Sequence, residues 1–485
     1  MLSRVDRIAP TLFTGLAATF VLLIVYKMIV GFDGIPYWDT YDGTLDFYTR
    51  FTAGDWHSLW EVHNEHRILL SKVLFLVDLN LLDGTTPFLW LVNLALAGLI
   101  ALVLVAFLRE VPGGRAFAWM PAFLVAVSFS ELQKENFYWS FQSQFFLAFL
   151  LPLAALYFAL LSLTRPERSA AHFAASTGLG ILSIGSMANG ILVLPVLTVY
   201  ALLTRMPWQR VAILAGLSIL GFTAYFLGLP DKADAPSVLQ VLQEKPSRFV
   251  RYILTYLGGP FAETGKVISA FAGLALLILA VRAAWKHIPR RRASSAEIAL
   301  IGFMGYILLT ALVTAIGRVG FGVNQALSSR YATPNLMNWC VLLMLYLPWL
   351  AATPGRVVRS TRALLVLVLL LFIVQLSALK PSKTATDRMG AALALELGIP
   401  DQDQVIHVYP RVGDALQVVD ELRDDPKAIF AMEPIRAAGD LIGTRTTAAI
   451  SACAEPAFGT TPVPQTDWLR INGPVLPGQG ERLLI

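Results

Sequence analysis

Apolar residues arrive along this chain in long runs broken by short polar connections. Runs at 12–30, 86–108, 116–129, 143–163, 173–187 and 191–203 are followed by others at 211–229, 267–281, 299–316, 335–351 and 363–379. About 20 helical residues cross about 30 Å of hydrocarbon, so each run is of spanning or slightly short length. The pattern predicts an all-α polytopic membrane protein of about 11 transmembrane helices. The first run lacks a small-residue cleavage site and many more follow it, so it reads as a retained first helix.

Hydrophobic residues make up 56% of the 485, and the mean hydropathy is +0.62, well beyond what a single soluble core needs. The net charge of +5 comes from Lys and Arg in short clusters between the runs. There they orient helices, and no nucleic-acid face is expected. Arg4 and Arg7, Arg109 and Arg115, Arg165 and Arg168, Arg205 and Arg210, Lys286 with Arg290, Arg291 and Arg292, and Arg356 with Arg359 alternate onto one side. By the positive-inside rule that side is the cytoplasm of a bacterial inner membrane, and the amino terminus lies there. Of the 33 Asp and Glu residues only Asp6, Glu110, Glu167 and Glu297 fall on the same side. The rule concerns Lys and Arg, so this asymmetry is an independent pointer to polar work on the periplasmic face. Cys340 in a run and Cys453 in the tail make neither a disulfide framework nor a zinc ligand set.

The segment 68–82 is apolar but short, and carries Lys72, Asp78 and Asn80. Counting it as a span would invert every later loop and put Arg290, Arg291 and Arg292 outside, so it reads as interfacial. The first periplasmic loop then covers 32–85, with juxtamembrane amphipathic pieces near 44–59 and 68–82. Residues 1–379 form the transmembrane module. Residues 380–485 turn polar and acidic, with helix-like 389–397, strand-like 405–409, helix-like 414–422 and a Pro/Gly-rich end, which predicts a small C-terminal α/β periplasmic domain. No internal repeat is visible, which counts against an inverted-repeat transporter.

Carboxylates and aromatics interleave in the first loop. Asp39 and Asp42 directly follow the first helix among Tyr37, Trp38 and Tyr41, at the headgroup boundary. A carboxylate in low-dielectric surroundings is suited to act as a base toward a hydroxyl, and the plainer reading is an aromatic belt with solvated acids. Further on, His63-Asn-Glu-His-Arg67 packs three titratable groups and a cation into five residues. If helical, His63 and His66 share a face at i, i+3 and could join Asp39 or Asp42 around a divalent cation such as Mg or Mn. Alternatively Glu65 and Arg67 are hydrogen-bonded scaffolding or substrate contacts, which the absence of a matching metal motif favours.

Other polar and aromatic segments face the same side: 131–142 with Lys134, Glu135 and Tyr138, Ala188-Asn-Gly190, the loop 229–265 with Arg248 and Arg251, and 317–331 ending in Ser329-Arg330-Tyr331. Arg330 weighs most, because a guanidinium at the mouth of a helix bundle suits bidentate phosphate binding, its ordinary role being interfacial snorkelling. Lys134 and Arg318 are the further donor-phosphate candidates.

A long acidic loop after the first helix, surface-lying helices within it, many spans and a small outer C-terminal domain together resemble the GT-C superfamily of membrane glycosyltransferases. That superfamily includes protein O-mannosyltransferases, the lipid A aminoarabinose transferase and oligosaccharyltransferases. The resemblance is architectural across the whole chain and local at Trp38-Asp39 and Ser329-Arg330-Tyr331. It implies a sugar donor carried on a polyprenyl phosphate, an acceptor that is a lipid, glycan or protein, and inverting transfer. Asp39 is the best match for the base, with Asp42 and then Glu65 behind it, and Arg330 would stabilise the leaving phosphate. Trp38, His63, His66, Arg67, Glu135, Tyr138, Asn189 and Tyr331 complete the expected substrate contacts. The spacing Asp39-Thr-Tyr-Asp42 departs from the Asp-Asp or Asp-x-Asp pairs of some branches.

Two other readings handle similar substrates. A lipid or sugar flippase should show charged or Gly/Pro-broken helices near the midplane, whereas here the interiors are mostly clean and Asn93 and Asn189 suit helix gluing. An O-antigen polymerase or ligase should centre on a large later loop with paired arginines, which Arg248 and Arg251 keep open.

Overall fold

The computed structural model describes residues 4–229, 246–287, 294–380, 384–433, 435–441, 459–464 and 469–472. Arg290, Arg291, Arg292, Cys453, positions 230–245 of the later loop and the Pro/Gly-rich end from 473 lie outside the described residues.

Leu, Ala and Val dominate the apolar runs, and an apolar run with its backbone paired internally is the cheapest way through hydrocarbon. Among the described residues seven helices are long and apolar enough to cross a membrane: Ile8–Val30, Pro87–Glu110, Ser140–Thr164, Trp208–Phe226, Lys266–His287, Ser295–Phe321 and Pro354–Leu379. The chain is a predominantly helical, multi-pass membrane protein. Large side chains such as Leu22, Leu91, Ile219, Phe271 and Ile373 stand exposed on these helices, as lipid-facing residues do. The other apolar runs form shorter or more polar elements. Met120–Ser128 has nine residues, Ser169–Ser183 has 15, and Ala188–Leu203 is a short apolar segment. Ala332–Leu350 carries buried Thr333, Asn335 and Asn338. The segment at 68–82 forms a helix, Leu69–Leu82, whose 14 residues extend about 21 Å, short of the hydrocarbon thickness.

The chain divides into two compact units. The first comprises Met1–Phe32, Trp60–Leu74 and Pro87–Lys380. Lipid tails are as apolar as Leu, so its helices are held by close packing and interhelical hydrogen bonds. Phe13 stacks on Trp119 at 4.6 Å. Gln375 ties three segments, accepting from the Glu131 N–H at 2.8 Å and donating to Phe20 O at 3.2 Å. Tyr306 donates to Ala148 O at 2.7 Å, and Asn136 donates to Thr333 Oγ1 at 2.8 Å. Helix Ser295–Arg318 starts from a full capping box, in which Ser294 Oγ accepts from the Glu297 N–H and the Glu297 carboxylate from the Ser294 N–H.

The second unit comprises Asp33–Leu59, Phe75–Thr86 and Pro381–Ile485. The piece expected as one amphipathic helix at 44–59 is three short elements: a wide π turn Tyr41–Asp46, a helix Phe47–Thr52 and a 3-10 turn Trp56–Leu59. Ala385–Glu396 and Val412–Glu421 are helices. The expected strand at 405–409 is corrected to helical turns. Asp401 caps Gln402–Val405 by accepting from the Asp403 and Gln404 N–H groups, and the Tyr409 N–H reaches Val405 O at 2.8 Å. A local cap outweighs the β preference of Val, Ile and Tyr there. The strands occur later, as an antiparallel hairpin pairing Gly459–Pro462 with Leu469–Asn472.

Candidate functional site

In the first unit, helix Ser295–Arg318 ends in three successive 3-10 turns, Val319–Phe321, Val323–Leu327 and Ser329–Tyr331, before Ala332–Leu350 begins. Gly322 at φ 93° makes the reversal between the first two, where a side chain would be strained. The last turn presents Ser328, Ser329 and Arg330 to Glu135 on the short helix Lys134–Tyr138. The Glu135 carboxylate accepts from Ser328 Oγ at 2.8 Å, Ser329 Oγ at 3.2 Å and the Arg330 N–H at 3.3 Å, and pairs with the Arg330 guanidinium at 3.1 Å. Arg330 Nε donates to Ser328 Oγ at 3.0 Å, and the guanidinium lies 5.9 Å from the Trp139 ring centre. The Arg330 and Glu135 side chains stay 32% and 26% exposed, so the pair can be reached from outside.

Aromatic rings extend this cluster. Trp139 stacks on Phe141 at 5.6 Å, and Phe141 meets the edge of His63 at 5.3 Å. Tyr331 packs on Tyr256 at 5.0 Å, and its hydroxyl accepts from Gln325 Nε2 at 3.2 Å. Gln325 accepts in turn from Tyr252. Tyr252 and Tyr256 come from the inward face of the amphipathic helix Pro246–Leu257, which exposes Arg248 and Arg251. Burial pushes both phenols well above their ordinary range, so they act as neutral hydrogen-bonding groups.

The 63–67 segment is a turn, which corrects the helical reading. His63 and His66 exchange both backbone hydrogen bonds at 2.9 Å, with Asn64 in the left-handed region at φ 55°. The i, i+3 helix face invoked for a two-histidine metal set is therefore absent. His66 Nδ1 accepts from the Ala188 N–H at 3.4 Å. Arg67 is 2% exposed and donates to the carbonyls of Tyr225 and Leu227, each at 2.9 Å, and of Trp60. With all three guanidinium nitrogens donating to backbone carbonyls and the side chain buried, Arg67 serves as a scaffold rather than as a substrate contact. Asn189, also buried, donates to Thr310 at 3.3 Å, a helix-joining contact.

Two further ion pairs hold first-unit candidates outside the Arg330 cluster. Glu65 accepts from Arg318 at 2.6 Å, and Lys134 pairs with Glu263 at 3.4 Å. Tyr138 donates to the buried Glu131 carboxylate. Burial pushes Glu131 up to about 7, with the Tyr138 hydrogen bond and the charges of Lys134 and Lys27 offsetting it only in part. Ser328, Trp139, Phe141 and Glu131 are not among the expected site residues, and Ser329 enters there only within Ser329-Arg330-Tyr331. The density of aromatics at 137–141 was the available signal.

In the second unit Trp38 is half-exposed and sits at φ 48°, a conformation that costs a bulky residue free energy and concentrates at functional sites. Its N–H is held by Val408 O at 2.8 Å. Asp39 opens the π turn, accepting the Gly43 N–H at 2.7 Å on its backbone carbonyl. Asp39 and Asp42 bring carboxylate oxygens within 4.8 Å of each other, close enough to share one divalent cation. The Tyr41 ring, fully buried, lies 5.3 Å from Tyr409. Arg411 donates to the Tyr409 hydroxyl at 3.2 Å. Burial raises the Tyr409 phenol, the Arg411 hydrogen bond opposes this, and the charge of Asp42 adds to the rise.

No protein-family model, curated protein or solved structure matches this chain.

Proposed function

We propose that this chain is a GT-C-like membrane glycosyltransferase that moves a sugar from a polyprenyl-phosphate donor to a lipid, glycan or protein acceptor on the periplasmic face. The observation that carries this reading is the Arg330 cluster. A reachable guanidinium lies over Trp139 beside two serine hydroxyls, in a loop between helices of a membrane-crossing unit. A guanidinium and hydroxyls suit a phosphate, and neighbouring aromatic faces suit the apolar face of a sugar. Apolar helices nearby suit the prenyl tail.

In this reading the acceptor hydroxyl loses its proton to the Asp39 carboxylate and its oxygen bonds to the anomeric carbon from the face opposite the phosphate. The bond from that carbon to the phosphate oxygen breaks, and the lipid phosphate leaves with the electron pair while Arg330 stabilises its charge. Asp39 takes the base role from the resemblance, with Asp42 and Glu65 behind it. A divalent cation held by Asp39 and Asp42 would add charge stabilisation. The reading includes about 11 crossings of a bacterial inner membrane, a cytoplasmic amino terminus and a periplasmic C-terminal domain.

Mass spectrometry of the purified protein tests the donor class. A co-purifying polyprenyl phosphate, lost in Arg330→Ala, is expected. Protein that carries no prenyl phosphate and releases none from an added prenyl-phosphate sugar would sink the reading.

A further inference from the structure

The Arg330 cluster already holds an anion, and that anion belongs to the protein. Glu135 collects two hydroxyl donors, one backbone N–H and a guanidinium, at 2.8, 3.2, 3.3 and 3.1 Å. Each of those donors fits a phosphate oxygen equally well, and a phosphate offers more oxygens than a carboxylate. We infer that Ser328, Ser329 and Arg330 form an oxyanion site for the donor's phosphate, and that the Glu135 carboxylate is its internal placeholder, displaced when the phosphate binds. This inference rests on the proposed donor class and names how its phosphate is admitted.

A half-buried guanidinium with no counter-ion is costly, and loose serine rotors would have to be ordered on binding. With Glu135 in place the donors stay aimed at one point, so the site is preorganised while empty. The cost is competition, because two anions cannot occupy the same donors. Lys134 with Glu263 and Arg318 with Glu65 are also acid-paired, whereas at Arg330 two hydroxyls, a backbone N–H and a guanidinium converge on one carboxylate. Glu135 also keeps its side chain 26% exposed, so it has somewhere to swing.

The sign of the Glu135→Gln effect separates a placeholder from a strut. A strut that loses its charge should orient Ser328, Ser329 and Arg330 less well and weaken ligand binding. A placeholder that loses its charge should compete less and strengthen it. The test is calorimetric binding of farnesyl phosphate, a short polyprenyl phosphate, and of inorganic phosphate to the full chain in detergent. Wild type, Glu135→Gln, Arg330→Ala and Ser328→Ala with Ser329→Ala are compared.

Glu135→Gln should bind farnesyl phosphate about tenfold tighter than wild type, while Arg330→Ala and the double serine variant bind it more weakly. Inorganic phosphate should rank the variants in the same order at lower affinity. Farnesyl phosphate binding weakened by Arg330→Ala but unchanged or weakened by Glu135→Gln overturns the placeholder and leaves the donor class standing. The expected variant order with no advantage of farnesyl phosphate over inorganic phosphate keeps the oxyanion site and removes the lipid-linked donor. Binding insensitive to Arg330→Ala, or no binding of either probe to any variant, overturns the site itself. Should Glu135→Gln fail to fold, Glu135→Asp, which keeps the charge but shortens its reach, must shift affinity in the same direction.

Discussion

Arg67 Nε donates to the carbonyl oxygen of Tyr225 across 2.9 Å, and the Tyr225 hydroxyl donates back to Glu65 O at 3.0 Å. The Tyr225 carbonyl belongs to the last turn of Trp208–Phe226, where carbonyls lack intrahelical donors and a cation is favoured by the helix dipole. Arg67 also reaches Leu227 O and Trp60 O and packs on the Trp60 ring at 5.0 Å. Arg67→Ala leaves those carbonyls unpaired and should destabilise the protein by about 3 kcal/mol. Arg67→Lys should recover little, because one ammonium cannot replace a planar fork with three acceptors. Thermal unfolding in detergent measures both, and a wild-type melting curve for Arg67→Ala would remove the scaffold role.

Much of this architecture was legible because hydrocarbon imposes a simple rule on sequence. The runs at 12–30, 211–229 and 267–281 could only be long helices, and long helices stand there. The rule weakens where polar residues enter an interior, so the run at 335–351 lies in a helix, Ala332–Leu350, with buried Thr333, Asn335 and Asn338. Local chemistry defeated two readings. Asp401 capped a helical turn over the β-prone 405–409, and Asn64 at positive φ folded the two histidines into a turn. The cations expected to hold phosphate, and Glu135 and Glu65 as site acids, were legible, but which acid pairs with which cation was not. Glu135 lies 195 residues from Arg330, Glu65 253 from Arg318 and Glu263 129 from Lys134, and no spacing rule reaches that far.

The base assignment predicts a specific loss. Asp39→Asn keeps the size of the side chain but cannot take a proton, so transfer should fall by about 100-fold or more with a melting temperature close to that of wild type. Asp42→Asn should cost less. Transfer from a prenyl-phosphate sugar in proteoliposomes reads out both, and full activity in Asp39→Asn would exclude it as the base.

Glu131 makes stability depend on pH. The residue is 4% exposed, and burial lifts its carboxyl from 4.5 to about 7. Between those values the folded chain holds a proton that the unfolded chain has released. Folding is therefore favoured at the acid end, and stability declines as pH rises from about 4.5 toward 7. The full swing is about 3 kcal/mol. Glu131→Gln has no proton to lose and should flatten this part of the profile, becoming more stable than wild type above pH about 7. Melting temperatures of the two proteins across that range decide it, and parallel curves would show that Glu131 is not the titrating group.

Lys427 gathers the second unit around one ammonium. Its side chain is 6% exposed, it pairs with Asp425 at 2.9 Å and Asp83 at 3.3 Å, and it lies 5.4 Å from the Tyr48 ring. Tyr48 donates to the same Asp425 at 2.9 Å, and the Ala428 N–H donates to Asp83 O. Segments around 48, 83 and 427 thus share one charge. Burial opposes that charge, yet the two carboxylates outweigh it and hold the Lys427 pKa above its usual value. Its contribution is complete below the unfolded lysine pKa and fades only at strongly alkaline pH. Both carboxylates are more than half exposed and can recover water when the lysine is removed, so Lys427→Ala should cost about 2 kcal/mol rather than the larger penalty of a buried orphan charge. Asp425→Ala in the Lys427→Ala background should then cost less than in wild type, since their shared interaction is already gone. Limited proteolysis should cut Lys427→Ala faster within 384–433 than wild type. Equal cutting rates, together with additive losses in the double variant, would mean that the ammonium holds nothing together.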